Sequence, residues 1–153
     1  MMNQVIITAS LVVFANFLFA VKGAEITDEC LGCICQASSG CNKDQGCSDG
    51  GVCGPFLITW GFWSDAGKPV LKGTQPNDPA AYSTCVNDMF CASETVRSYS
   101  RIFGKDCTGD GAIDCEDFMR IHKFGPGACN SPTIAENKFF KEFEKCKSIV
   151  NPK

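Results

Sequence analysis

Twelve cysteines restrict this chain more than any other feature of its sequence. They are Cys30, Cys33, Cys35, Cys41, Cys47, Cys53, Cys85, Cys91, Cys107, Cys115, Cys129 and Cys146. All lie downstream of an apolar run from Val5 to Val21 that contains Val5-Ile6-Ile7, Leu11-Val12-Val13-Phe14 and Phe17-Leu18-Phe19. A run of that length at the extreme N-terminus, followed by small residues, reads as a signal peptide (residues 1–23) rather than a retained anchor, with cleavage after Gly23. A secreted chain meets an oxidising compartment, so an even number of cysteines there reads as disulfides, here up to six. Cys30-x-x-Cys33 also has zinc-ligand spacing. That reading lacks a second matching pair, and the only histidine is His122.

The mature chain, residues 24–153, is one domain's worth of sequence. Loss of Lys22 with the leader leaves 13 Lys and Arg against 17 Asp and Glu, a net charge near −4. Charges of both signs are interspersed and form no basic stripe, which argues against nucleic acid as a partner. No second apolar run of membrane length follows, so no membrane contact is expected after signal removal, and a secreted, extracellular monomer is expected.

Helices dominate the expected fold. Thr27–Ser38 reads as a short helix, with Asp28 and Glu29 at its positive end and Cys30, Cys33 and Ile34 on one face. Cys41–Val52 is glycine-rich loop. Phe56–Trp60 is strand-like between Gly54-Pro55 and Gly61. Gly67–Pro79, rich in proline and glycine, reads as an extended surface connection. Ala92–Phe103 and Asp114–Phe124 carry apolar residues at helical spacing and stop at Gly104 and Gly125. Pro132–Ile149 reads as a last helix, with Ser131 as N-cap and Pro132 at the first helical position. A short β-sheet beside several short helices gives a small, helix-dominated, disulfide-rich α+β domain.

One stretch has the spacing of a calcium loop. From Asp106 to Asp117, oxygen-bearing side chains fall at Asp106, Thr108, Asp110, Asp114 and Asp117, with Gly111 at the sixth place and Ile113 at the eighth. Such a loop wraps a hard cation, and the glycine permits the sharp turn. The competing reading is an acidic turn that caps the next helix, because the twelfth place is Asp rather than Glu and two cysteines lie inside. No other cofactor is suggested, and none is required.

Several motifs together resemble the invertebrate-type lysozyme and destabilase family. They are Cys30-Leu31-Gly32-Cys33-Ile34-Cys35 with Ser39-Gly40-Cys41, then Cys53-Gly54-x-Phe56-x-Ile58 and Trp63-x-Asp65-x-Gly67-Lys68-Pro69. Cys91-Ala92-Ser93, Cys115-Glu116-x-Phe118, Arg120-x-His122 and Gly125-Pro126-x-x-Cys129 continue the pattern to Cys146. Family members often carry one further cysteine pair. Ala66 and Thr95 stand at those places here, which implies that the two are partners in the family and that the other pairs are intact.

The resemblance implies a lysozyme-like fold and hydrolysis of β-1,4 glycosidic bonds in a saccharide, peptidoglycan or chitin-like, by two carboxyl groups. In retaining glycosidases these lie ~5–5.5 Å apart, one protonated and one ionised. The family's acid is a glutamate at the end of the first helix, and that position falls on Ser38; no Glu occurs between Cys30 and Ser93. The second carboxylate aligns best with Asp49, in a loop shorter than the family's, where a simple turn aspartate is the competing reading. Asp44 is the other nearby carboxylate that could stand in as acid. The aromatic run Trp60, Phe62, Trp63 follows the strand; Trp63 and Phe56 are the expected sugar-facing rings. Destabilase-like members also cleave isopeptide bonds with serine and lysine or histidine. His122 is kept, but the serine and lysine places hold other residues, so His122 reads as a helix residue beside a Gly-Pro turn. Three functions stay open: a saccharide-binding homologue with weak or lost hydrolysis, an active muramidase using Asp49 with another acid, and a non-enzymatic secreted factor that reuses the scaffold and binds saccharide or calcium.

Overall fold

The structure is a computed structural model that describes residues 25–150. The signal-peptide expectation falls on residues outside this range. Among the described residues no helix is long and apolar enough to cross a membrane.

The first helix, α1 (Asp28–Ser39), organises the rest. Thr27 Oγ1 accepts from the Cys30 amide at 3.2 Å, Asp28 and Glu29 complement the helix dipole, and Gly40 ends the helix at φ 70°. Glycine alone takes that left-handed conformation without a Cβ penalty. The buried side of α1 carries Cys30, Leu31, Cys33, Ile34 and Cys35. Cys30 pairs with Cys115 at the start of α5 (Cys115–Phe124), and Cys33 pairs with Cys146 in α6 (Lys138–Val150). Two cysteines three places apart thus tie one helix to two others.

The remaining disulfides are more local. Cys35–Cys41, Cys47–Cys53 and Cys85–Cys91 each join residues six apart, and Cys107–Cys129 joins residues 22 apart. No cysteine is free. Ala66 and Thr95, at the places where the family's further pair is implied, are both buried at 3% and 0% exposure.

The sheet is a single antiparallel pair, β1 (Val52–Cys53) with β2 (Ile58–Thr59), in the register Val52 to Thr59 and Cys53 to Ile58. The strand expected over Phe56–Trp60 is therefore much shorter. Gly54-Pro55 and Leu57, at φ 52°, spend Phe56 and Leu57 on the turn. Thr59 then leaves the sheet as an N-cap, its Oγ1 accepting from the Phe62 amide at 3.2 Å, so that Trp60 opens α2 (Trp60–Asp65). Gly54 is required by contact as well as by its φ of 73°: a Cβ there would lie 1.7 Å from the Val86 carbonyl oxygen. The sheet end sits directly on α3 (Ala81–Asn87), a helix too short and weakly patterned to be read from sequence.

The later helices follow the expected ranges with local changes. The α4 helix (Met89–Phe103) starts three residues earlier than expected because Asp88 caps the Cys91 amide at 2.8 Å. The single helix expected over Pro132–Ile149 is two pieces. Pro132–Glu136 is a 3₁₀ turn, and Asn137 breaks it by accepting from the Phe139 amide at 2.9 Å before α6 begins. Ser131 makes no cap bond; its hydroxyl meets Thr133 at 3.0 Å.

The main core gathers Ile34, Phe56, Ile58, Trp63, Val86, Val96, Met119 and Phe143, all at most 2% exposed. The result is the helix-dominated, disulfide-rich α+β domain expected from the sequence.

Loop-closure entropy grows with the number of residues bridged. In that model Cys33–Cys146, which spans 113 residues, restricts the unfolded chain by about 4.8 kcal/mol, whereas Cys47–Cys53, which spans 6, contributes about 2.2 kcal/mol. Replacing Cys33 and Cys146 together by alanine is expected to lower stability more than replacing Cys47 and Cys53, by about 2 kcal/mol or more in chemical unfolding.

Candidate functional site

The C-terminal turn of α1 forms one wall of a cavity of about 360 Å³, lined also by Phe56, Thr59, Phe62, Tyr99, His122 and Phe139. Ser38 projects from that turn, and its hydroxyl donates to the Ile34 carbonyl at 2.8 Å. The hydroxyl thus folds back on its own helix, as serine near a helix end commonly does. Among the described residues, no aspartate or glutamate lines this cavity.

His122 reaches the cavity from α5. Its Nε2 lies 2.9 Å from the Phe56 carbonyl oxygen, which can only accept, so Nε2 carries the proton and Nδ1 the lone pair. Nδ1 is buried and has no partner among the described residues. Rings surround the imidazole: Phe62 edge-on at 5.3 Å, Phe139 roughly parallel at 6.1 Å and Phe56 edge-on at 6.4 Å between centroids. Burial therefore lowers its pKa to about 4; the bond to Phe56 opposes that shift, and Lys123 adds to it. At neutral pH the ring is uncharged. It ties α5 to the β1–β2 turn across 66 residues of sequence, a firmer structural part than its sequence reading gave it.

Tyr99 completes the apolar wall, stacked on Phe62 with centroids 3.8 Å apart and planes 15° apart. Burial, and secondarily the charge of Asp65, raises its pKa. A second cavity of about 450 Å³ opens on the other side of Ser38 and shares Ser38, Lys123 and Phe139 with the first; Glu142 is the carboxylate on its wall.

The expected site residues disperse. Asp49 is exposed in the turn closed by Cys47–Cys53, where the Gly51 amide donates to the Ser48 carbonyl at 2.9 Å, and it is not part of the cavity lining. Asp44 is exposed in the preceding turn, its amide held by Asn42 Oδ1 at 3.0 Å. The expectation that Trp63 and Phe56 offer ring faces to sugar is corrected, because each is 2% exposed. The Trp63 indole donates from Nε1 to the Pro69 carbonyl at 2.7 Å and belongs to the core. Phe56 underlies the cavity, but its ring is packed away. Trp60 is the exposed tryptophan, at 56%, with the Lys68 ammonium 5.6 Å from its ring centroid.

Tyr99, Lys123, Lys138 and Glu142 were not singled out from sequence. Tyr99 sat in an apolar helical stripe, and the other three sat on polar helix faces. Only the neighbouring Arg120-x-His122 motif hinted that this end of α5 borders a site.

The Asp106–Asp117 loop turns its oxygens on its own backbone. Asp106 accepts from the Gly109 amide at 2.6 Å, the Gly111 amide at 2.9 Å and the Thr108 hydroxyl at 3.2 Å. The Gly111 and Gly109 amides hold its carboxyl below the usual range. Asp110 accepts from Ala112 at 2.9 Å. Asp114 and Asp117 form a capping box on α5. Asp117 is fully buried, with amide donors from Cys107 at 2.8 Å, Thr108 at 3.1 Å and Asp114 at 2.9 Å. Among the described residues no group of three or more His, Cys, Asp or Glu side chains converges as a cation cage.

The Destabilase family model matches residues 27–146 of the chain. Invertebrate-type lysozyme 3 of Caenorhabditis elegans is 38% identical over 104 residues, covering 66% of this chain and 73% of that protein. A lysozyme of Magallana gigas is 36% identical over 129 residues, covering 81% and 83%. Among solved structures, the inhibitor-bound lysozyme from Meretrix lusoria superposes with a TM-score of 0.61 at 30% identity, covering 79% of this chain and 93% of that one. The same lysozyme in complex with Aeromonas hydrophila PliI gives a TM-score of 0.62.

Two outcomes are expected. Between pH 6.5 and 4 the unfolded chain protonates His122 and the folded chain does not, so stability falls as pH drops through that window. The loss reaches up to about 3 kcal/mol near pH 4. Denaturant unfolding of wild type against His122→Gln, which keeps a donor for the Phe56 carbonyl, should show the extra acid loss in wild type only. The acidic-turn reading, in which Asp106 and Asp117 serve the backbone amides that donate to them, predicts a flat titration in calorimetry at millimolar calcium. One-site heat that vanishes when Asp106 and Asp110 are both changed to alanine would establish the calcium site instead.

Proposed function

Because the chain belongs to the Destabilase family, which includes the invertebrate-type lysozymes, we propose that it is a secreted lysozyme homologue that holds a peptidoglycan-like saccharide in the cleft beside Ser38 and hydrolyses it poorly or not at all. The observation that carries this reading is the cleft wall itself. Where the family resemblance places a glutamate, the chain has a half-buried serine that donates back to Ile34. No carboxylate lines that cavity among the described residues.

The chemical consequence is direct. A glycosidic oxygen leaves as an alcohol only when a proton reaches it in the transition state. A carboxylic acid held near pH 6 supplies that proton; a serine hydroxyl does not. His122 is no substitute, because it is neutral above about pH 4 and its one N–H is given to Phe56. Losing general acid catalysis typically costs ~10²–10⁴ in rate. Asp49, exposed outside the cavity, does not bring a second carboxylate to Ser38. The six disulfides and the family suit a secreted protein.

Clearing of a bacterial cell-wall suspension tests the reading. Wild type should clear it no faster than an inert protein, and Ser38→Glu should raise the rate. A gain short of family levels is expected, because an error of ~1 Å in placement can cost 10²-fold. Strong wild-type clearing that Asp49→Ala abolishes with the fold intact would overturn the proposal in favour of an active muramidase.

A further inference from the structure

The second cavity runs along the last turn of α1 and the first turns of α6, and its charges set it apart from the cleft. Lys123, Lys138 and Glu142 lie on its wall beside the polar side chains of Gln36, Ser39 and Asn137. Among the described residues, none of these three charged groups is within 4.0 Å of an opposite charge; the ion pairs belong to Arg97, Arg120 and Lys147. The Lys123 ammonium lies 5.3 Å from the Phe139 ring centroid. Phe139 and Lys123 both border the two cavities, so this cation stands at their junction.

The cavity therefore carries two positive charges and one negative, in a chain whose formal net charge is −3. A concave wall with unpaired ammonium groups raises the local concentration of anions even on an acidic protein. Lysine suits this role as a mobile point charge on a flexible stem. Glu142 limits it, because it repels a second negative charge.

We propose that this cavity is a subsite for a carboxylate-bearing arm of the saccharide held in the cleft, with Lys123 and Lys138 as its binding residues. The subsite rests on the saccharide reading and narrows it. It favours saccharides that carry an acidic substituent over neutral N-acetylglucosamine polymers, and a monoanionic arm over a dianionic one.

A matched pair of probes tests the charge alone: N-acetylmuramyl-L-alanyl-D-isoglutamine, and the same molecule with its carboxylate converted to an amide. Affinities are measured by calorimetry on the mature chain. Both lysines are exposed, so the preference for the acid is expected to be about two- to five-fold at low salt and to collapse near 1 M salt. Lys138→Gln and Lys123→Gln should each bring the ratio of acid to amide affinity toward one, and Glu142→Gln should widen it. Equal wild-type affinities for the two probes would overturn the subsite while leaving saccharide binding in place. A preference that survives both lysine substitutions would overturn it equally. Failure of both probes to bind would overturn the saccharide reading and the subsite with it.

Discussion

The disulfide between Cys33 and Cys146 joins the first helix to the last, and the rest of the domain is arranged around that junction. Cys30, one helical turn earlier, reaches α5 through Cys115. Residues three apart lie close on one side of a helix, so the two bonds leave α1 at a small angle and grip two helices at once. Those helices carry the walls of both cavities: α5 brings His122 and Lys123 to the cleft, and α6 brings Phe139 to the cleft and Glu142 to the cavity beside it. Ser38 stands on α1 itself, between them. The cavity walls are fixed covalently, which suits a small domain whose apolar core alone would be modest.

That arrangement explains which parts of the structure were legible in the sequence. The cysteine number gave the disulfide class, and the motif spacings gave the family, because both are local facts about the chain. Thr27, Gly40, Asp114 and Gly125 marked the ends of α1 and α5 because capping is decided within a few residues. The strand expected over Phe56–Trp60 contracts to Ile58–Thr59, because aromatic and β-branched residues favour strands in general but the flanking positions are claimed by a turn and a helix cap. Here Thr59 caps a helix, Leu57 adopts a left-handed turn at φ 52°, and Gly54 packs against α3. Asn137 breaks the last helix by a single side-chain bond, which no periodicity displays.

The site was less legible for the same reason. Ser38 could be placed by motif, but Tyr99 and Lys123 of the cleft and Glu142 of the adjoining cavity come from three separate helices and share no sequence pattern. Trp63 was misassigned because an indole in an aromatic run serves equally well as core or as sugar platform. The Pro69 carbonyl, which satisfies its N–H inside the fold, decided for core. The Asp106–Asp117 loop shows how far spacing can carry an argument. Its oxygens sit at calcium-loop intervals, yet Asp117 is drawn inward by three amides and becomes part of the helix start.

Buried Asp117 and half-buried His122 illustrate two ways of placing polar groups against the core of a small domain. Asp117 is satisfied by three amide donors, which offset the cost of burying it. His122 avoids charge altogether: its ring stays neutral, spends its one proton on Phe56 and lies among three phenylalanines. A carboxylic acid placed at Ser38 would share that apolar wall, since Phe56, Phe62 and Phe139 line the same cavity. Apolar surroundings are what raise a carboxyl pKa toward neutrality. The cleft therefore keeps the environment that would tune a general acid while holding a residue that cannot act as one. The apolar wall does not depend on the side chain at Ser38, so the proposed saccharide binding and the proposed loss of hydrolysis can be tested apart.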